Sequence, residues 1–288
     1  IGQALVSRSL SLLNLGRGAE AEADRSRHYA MSETLPQIRM ISKAMRACSW
    51  FLTGDWKDGE DLVRELEQES MPRGAALLVE DALRFMVRAQ QGALAEHLGR
   101  LVLFEAGAKG WEMWPTWRLG LMLAKVQAGQ VEEVREMVAK MGYHGLDETK
   151  DFNNTLLPFC AVGNLLAGEL GDTRGAAKLV ELLSPYSGEW IMIARIGSTL
   201  GPVDMHLGEL HLLMGRHREA ATALERSLVT CEAMDAVPYL ARTRLALSAC
   251  FEAMGDPDGK ERRMTLRHEG EEVARGLDMQ AILRRHLP

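Results

Sequence analysis

Apolar residues recur at intervals of three and four along most of this chain, and short polar turns interrupt them. Six stretches carry the pattern: ISKAMRACSWFLT (41–53), LVEDALRFMVRAQ (78–90), TWRLGLMLAKVQA (116–128), LPFCAVGNLLAGEL (157–170), VDMHLGELHLLM (203–214) and ARTRLALSACFEAM (241–254). This period puts one apolar stripe on each segment, so each predicts an amphipathic helix. A glycine follows each stretch, and Gly16 adds an earlier one. Gly16, Gly54, Gly92, Gly129, Gly171, Gly215 and Gly255 stand 38, 38, 37, 42, 44 and 40 residues apart. A small or polar residue and a second amphipathic segment come after each glycine. The predicted unit is therefore helix, tight turn, helix. Glycine ends the first helix because it takes the left-handed backbone at little steric cost. Asp55, Asp172 and Asp256 stand where a carboxylate can cap the second helix.

One such pair cannot bury its own apolar face, so repeats of this period must stack. The sequence predicts an all-α fold, a right-handed α-solenoid of about seven helix-turn-helix repeats with a step near 40 residues. The units run about 1–31, 36–70, 74–107, 111–143, 154–186, 200–234 and 236–275, with 276–288 as a C-terminal extension, all within a single domain, 1–288. The unit around Gly215 is the best formed. Leu207-Gly208 allows close helix approach, His211 fills the pair, and Ala220 sits where the helices cross. Its spacing resembles the tetratricopeptide pattern, with helices longer than in the usual unit of roughly 34 residues. Two connectors are long, 142–154 and 184–202, and the second holds Trp190 in an apolar patch. Long connectors in a regular array carry function or cover an edge.

The same register points to an inner, concave face. It takes Leu119 and Leu123 from the fourth unit, and Met205, Glu209 and Leu212 from the sixth. The other units contribute mostly small or apolar residues, such as Ala44, Cys48 and Phe51. A groove of this kind suits an apolar helix or peptide segment of a partner. A tightly wound superhelix would bury the same face within the chain.

Composition narrows the function classes. Hydrophobic residues make up 47% of the chain and aromatics only 6%. Runs of β-branched residues are few, which argues against a sheet. The net charge of -6 argues against a nucleic-acid footprint, which needs a concentrated basic face. Cys48, Cys160, Cys231 and Cys250 have neither metal-ligand spacing nor a CxxC pair. They read as free core thiols in a reducing, cytoplasmic setting. The most apolar run, 155–168, is broken by Pro158 and Asn164 and falls short of the roughly 20 residues that span a bilayer. No basic leader with a cleavage site opens the chain. It begins at Ile1 without an initiator methionine, and the expectation is a piece of a longer protein.

Catalytic signatures are missing. The chain has no GxxxxGK[ST], GxGxxG, HExxH or GxSxG. It is read as a non-enzyme with no cofactor and no metal. His206 and Glu209 share one helix face, three residues apart, but a metal would need a third ligand. His206 is read as a surface polar residue and His211 as a packing residue. Trp111, Trp114 and Trp117 form a stripe with Arg118 behind it, and Pro115 suits a helix start. The stripe is either a platform for a ligand or peptide, or packing between units. Trp56 is read as core. The candidate partner- or ligand-binding residues are Trp114, Trp117, Arg118, Leu119, Leu123, Trp190, Met205, Glu209 and Leu212. Mixed-charge runs at 61–69 and 258–275 read as solvated helix faces.

Three stretches carry a family likeness: LLSPYSGEW (182–190), GPVDMHLGELHLLMGRHREAATALERSLVTCEAMDAVPYLARTRLALS (201–248) and EEVARGLDM (271–279). Through them, 110–282 resembles the C-terminal tetratricopeptide-like repeat (sensor) region of bacterial AAA/STAND ATPase signalling proteins. These include LuxR-type transcriptional regulators and ATPase-linked adenylate cyclases. The resemblance transfers no catalytic residue. It implies a sensor and scaffold arm that binds a protein segment in its groove, or a small-molecule inducer, and gates an ATPase. Self-association of the arm is a further expectation. No membrane or nucleic-acid contact is implied for this region.

Overall fold

The computed structural model describes residues 1–68, 83–107, 114–141, 152–193, 198–255 and 259–286. The helices are α1 (Gly2–Asn14), α2 (Gly18–Thr34), α3 (Arg39–Thr53), α4 (Trp56–Gln68), α5 (83–91), α6 (Leu98–Gly107), α7 (Trp114–Gln127), α8 (Val131–Met141), α9 (Phe152–Leu170), α10 (Thr173–Leu183), α11 (Val203–Leu213), α12 (His217–Ala233), α13 (Val237–Met254), α14 (Lys260–Gly276) and α15 (Gln280–His286). No helix among the described residues is long and apolar enough to cross a membrane.

All seven turn glycines adopt the left-handed backbone, with φ between 65° and 93°. An L-residue there costs roughly 1–2 kcal/mol, which is why glycine marks each turn. Helices pack across these turns, α1 on α2, α3 on α4, α7 on α8, α9 on α10, α11 on α12 and α13 on α14. The first helices also stack in chain order, α7 on α9, α9 on α11 and α11 on α13. Asp172 caps α10 as expected, its carboxylate accepting from the Gly175 N–H at 2.9 Å. Asp55 instead accepts the Thr53 hydroxyl at 2.7 Å, and Asp256 lies outside the described residues. In the best-formed unit, a Cβ on Gly208 would sit 2.4 Å from Leu224 Cγ. The α11–α12 approach therefore requires glycine at this position.

Two features depart from the expectation. The 184–202 connector holds an antiparallel hairpin, β1 (Trp190–Ile193) and β2 (Ser198–Pro202), so the absence of sheet is corrected. The signal was too short to stand out, only WIMI and STLGP. Trp190, Ile191 and Leu200 are buried. The hairpin touches helices from both ends of the chain, β1 packing on α1 and α9, and β2 on α3, α11 and α12.

Secondly, the chain returns on itself. α3 packs against α13, and the Gly54 turn lies against Val237 and Leu277. The inner face given by the register is consequently covered. Cys48, Met86, Leu123, Leu165, Met205 and Leu245, one from each of six units, are all buried. Of the two alternatives for this face, an open groove or burial within the chain, the structure shows burial at these positions. Apolar side chains at these positions gain more from the hairpin and α15 than from water. The described part of the extension joins this core, since Ala281, Ile282 and Leu283 of α15 are buried. It also enters like a further first helix. Asp278 before α15 repeats the left-handed backbone of Asp235 before α13, with φ 54° and 50°.

Gly208→Ala should lower stability by about 1–2 kcal/mol, because Leu224 must yield and overpacking outweighs alanine's better helix propensity. Gly99→Ala, with no heavy atom near its Cβ, should be neutral or stabilising by up to about 1 kcal/mol. Urea melts of the two variants check the opposite signs.

Candidate functional site

α11 is buried on nearly every side. The whole run Val203–Leu210 is enclosed, as expected of a helix packed all round rather than along one stripe. Two of its polar residues, His206 and Glu209, share a face and go into the interior with it. His206 is therefore corrected from a surface residue to a fully buried one. A carboxylate in that position needs compensation, since a buried unpaired charge costs several kcal/mol.

Three other helices supply it. Arg242 of α13 forks onto Glu209, with Nε on Oε1 and Nη2 on Oε2, both at 2.5 Å. Asn164 of α9 donates Nδ2 to Glu209 Oε2 at 2.6 Å. Arg285 of α15 places Nη1 3.6 Å from Oε2, and His286 places Nε2 3.5 Å from Oε1. The Asn164 amide is used from both ends, since its Oδ1 accepts from Arg285 Nη2 at 2.9 Å. Asn164 Nδ2 also lies 2.9 Å from His206 Nδ1, and His206 Nε2 lies 2.9 Å from the Leu200 carbonyl of β2. The carbonyl can only accept, so Nε2 carries the proton and Nδ1 accepts from the amide. His206 is neutral in this arrangement.

Electrostatics agree with the geometry. Burial alone would raise the Glu209 carboxyl, but Arg242 and Arg285, together with the hydrogen bonds, hold it well below the ordinary carboxylate range. Burial and then the charge of Arg242 push His206 down to about 3. His286 is likewise lowered, chiefly by burial. The result is a fixed anion, two fixed cations and neutral imidazoles. This arrangement joins four helices and gives them one relative placement. A second polar staple lies at the start of α11. Asp204 accepts from Ser187 Oγ, the Gly188 N–H and Arg226 Nη2 at 2.8, 2.9 and 2.7 Å, tying the connector to α11 and α12.

The predicted residues fall into two groups. Glu209 is the centre of the cluster. Met205 and Trp190 meet in a neighbouring core with Tyr239, whose ring stands edge-on to Trp190 at 6.2 Å. Leu212 is half-buried against the α12–α13 core. Trp117, Leu119 and Leu123 lie in the larger core, where Trp117 packs edge-on to Phe85 at 6.0 Å. Arg118 is half-buried. The side chain of Trp114, and the whole of Trp111, fall outside the described residues. Trp117 is thus packing, and it does not join Glu209. Trp56 is core, as expected, with Nε1 donating to the Phe51 carbonyl at 3.1 Å. Asn164, Arg242, Arg285 and His286 escaped the sequence reading. Asn164 did leave a trace, as a lone polar residue inside an apolar run.

Among the described residues, no group of three or more His, Cys, Asp or Glu could hold a metal ion. Two surface hollows stand apart from the cluster. A cleft of about 660 Å³ opens between α8 and α10, with Arg135, Lys140, Arg174 and Lys178 on its walls. A hollow of about 380 Å³ lies where Ser184 and Ser187 of the connector face His211 and Arg226. Compared with known proteins, the chain matches no family model, no curated protein and no solved structure.

Glu209→Gln should destabilise the chain by about 3–5 kcal/mol, because Arg242 and Arg285 then stay buried against a neutral amide. A denaturant-midpoint shift of under about 1 kcal/mol would sink this account of the cluster.

Acidification should destabilise the chain as well. Free histidine titrates near 6.5 and buried His206 near 3, so below pH 6.5 the unfolded chain takes up the proton first. His206 therefore contributes full stability above pH 6.5 and loses it on acidification, by up to about 1.4 kcal/mol per pH unit. Glu209 adds the same sign below its ordinary 4.5. Urea midpoints from pH 7.5 to 4.5 should fall below pH 6.5; a flat or rising profile contradicts the assignment.

Proposed function

We propose that this chain is a non-enzymatic repeat scaffold whose inner face binds a protein segment, the regulatory arm of a cytoplasmic bacterial signalling ATPase or transcriptional regulator. In this reading its helix pairs form a right-handed solenoid of tetratricopeptide-like units. One observation carries the reading. The positions that the register assigns to a bound segment already hold pieces of chain: Gly168 and Glu209 meet Arg285 of α15, and Met205 meets the hairpin at Gly201. A face that takes a strand pair and a helix of its own chain has the makings of a peptide groove, an apolar lining around a few fixed polar groups. The resemblance over 110–282 points the same way.

A small-molecule sensor is the second reading. It is favoured by the hollow beside the 184–202 connector, where Ser184, Ser187, His211 and Arg226 converge. Convergent polar groups in a concavity are what a small ligand uses for orientation.

Two measurements separate the readings. A photo-crosslinking residue at Arg118 or Leu212 should trap a discrete protein adduct in bacterial extract, while one at exposed Val229 should trap none. A thermal-shift screen against metabolites should show no reproducible rise. Absence of the adduct, with a metabolite-dependent rise that is lost in Arg226→Ala, replaces the scaffold with the sensor.

A further inference from the structure

The seat of α15 is built in unusual detail for a seven-residue C-terminal helix. The Arg285 side chain is largely enclosed, with its guanidinium in a socket shaped for it. A Cβ on Gly168 would lie 2.3 Å from Arg285 Cζ, so only glycine leaves room for the planar group against α9. Asn164 Oδ1 accepts from Nη2 at 2.9 Å, and Glu209 Oε2 stands 3.6 Å from Nη1. Glu169, on the rim, is a second carboxylate acting on the same guanidinium. Beside the socket, Ala281, Ile282 and Leu283 fill an apolar pocket. Gln91 Nε2 donates to the Leu277 carbonyl at 3.3 Å, in the turn before α15. A glycine and an amide, Gly168 and Asn164, are thus fitted to one arginine-bearing helix.

The hinge differs from the seat. Asp278 holds a left-handed backbone at φ 54° in the turn before α15, a conformation that costs a non-glycine residue free energy. The socket also keeps its own balance without α15, because Arg242 already pairs both Glu209 oxygens. α15 can therefore leave without stranding the carboxylate.

We propose that the α15 seat is an arginine-reading helix-recognition site, that α15 is its resident occupant, and that the partner segment is an amphipathic helix with three adjacent apolar residues followed two positions later by arginine. The partner enters as α15 swings out on its hinge. The inference rests on the segment-binding reading above and names the segment's chemistry. Recognition by shape and charge follows from a guanidinium's fixed planar fork, which lysine cannot reproduce. Competition between resident and partner sets apparent affinity, because the partner binds only the fraction of molecules whose seat is empty.

The test uses the full chain and a fluorescent peptide of residues 277–288. Hydrogen exchange should show 280–286 opening faster than α11 and α13, without global unfolding. The peptide should bind the intact chain weakly. Arg285→Ala in the chain should loosen the resident and tighten peptide binding by about tenfold, whereas Arg285→Ala or Arg285→Lys in the peptide should weaken it by about tenfold. The proposal is overturned if α15 exchanges only together with α11 and α13. It is equally overturned if the altered peptides bind as well as the parent. A peptide that binds as stated, with no protein adduct from Arg118 or Leu212 in extract, keeps the α15 seat and removes the wider scaffold role.

Discussion

The interior of this molecule is organised by one charge that cannot reach water. Glu209 sits within the enclosed run Val203–Leu210 of α11, and its carboxylate is tolerable only with a cation and an amide arranged around it. Arg242 and Asn164 come from two other helices and hold both carboxylate oxygens between them, so α9, α11 and α13 meet at one depth and one rotation, with Arg285 of α15 seated against them. Apolar residues of similar volume could fill the space as stably, but they would accept many rotations of each helix. The carboxylate accepts few. Its contribution is registry as much as energy, because it fixes how these helices sit against one another.

The hairpin does for the ends of the chain what Glu209 does for its middle. Trp190 reaches the core formed by Leu12, Leu13 and Ala21 from the first unit and by Cys231 and Met234 from the sixth. Tyr239 fixes the outer strand by donating its hydroxyl to the Thr199 carbonyl at 2.5 Å. A strand pair serves better here than another helix, because Gly201 lies so close to Tyr239 and Met205 that a Cβ would sit within 3 Å of both. The N-terminal pair therefore rests on elements more than 150 residues away by sequence, and helical stacking becomes a closed body.

The local rules were legible in the sequence. Helix period, turn glycines and the close approach at Gly208 follow from backbone geometry and short spacings, and the structure shows each of them. The inner face could also be read, since its positions repeat with the turn. What covers that face could not be read. Asn164 and Arg285 are 121 residues apart, and nothing in either neighbourhood names the other. His206 looked like a surface residue because helical spacing shows which side chains share a face, not whether that face meets water. The tryptophan stripe left two readings open for a related reason: Trp117 at a helix start is as useful for wedging Phe85 as for holding a ligand, and spacing alone does not choose.

The cysteines give this closed body a built-in reporter. Cys48, Cys160, Cys231 and Cys250 lie on four different helices, all buried and unpaired with one another. Burial pushes the thiols of Cys48, Cys231 and Cys250 up to about 12, and that of Cys160 higher still. The thiolate is the reactive form, so each sulfur is chemically silent while its own surroundings stay shut. Electrophiles and oxidants then sample the moments when a helix lifts away, rather than the resting molecule. Four silent thiols spread from α3 to α13 make the breathing of the array a matter of covalent chemistry, legible one unit at a time.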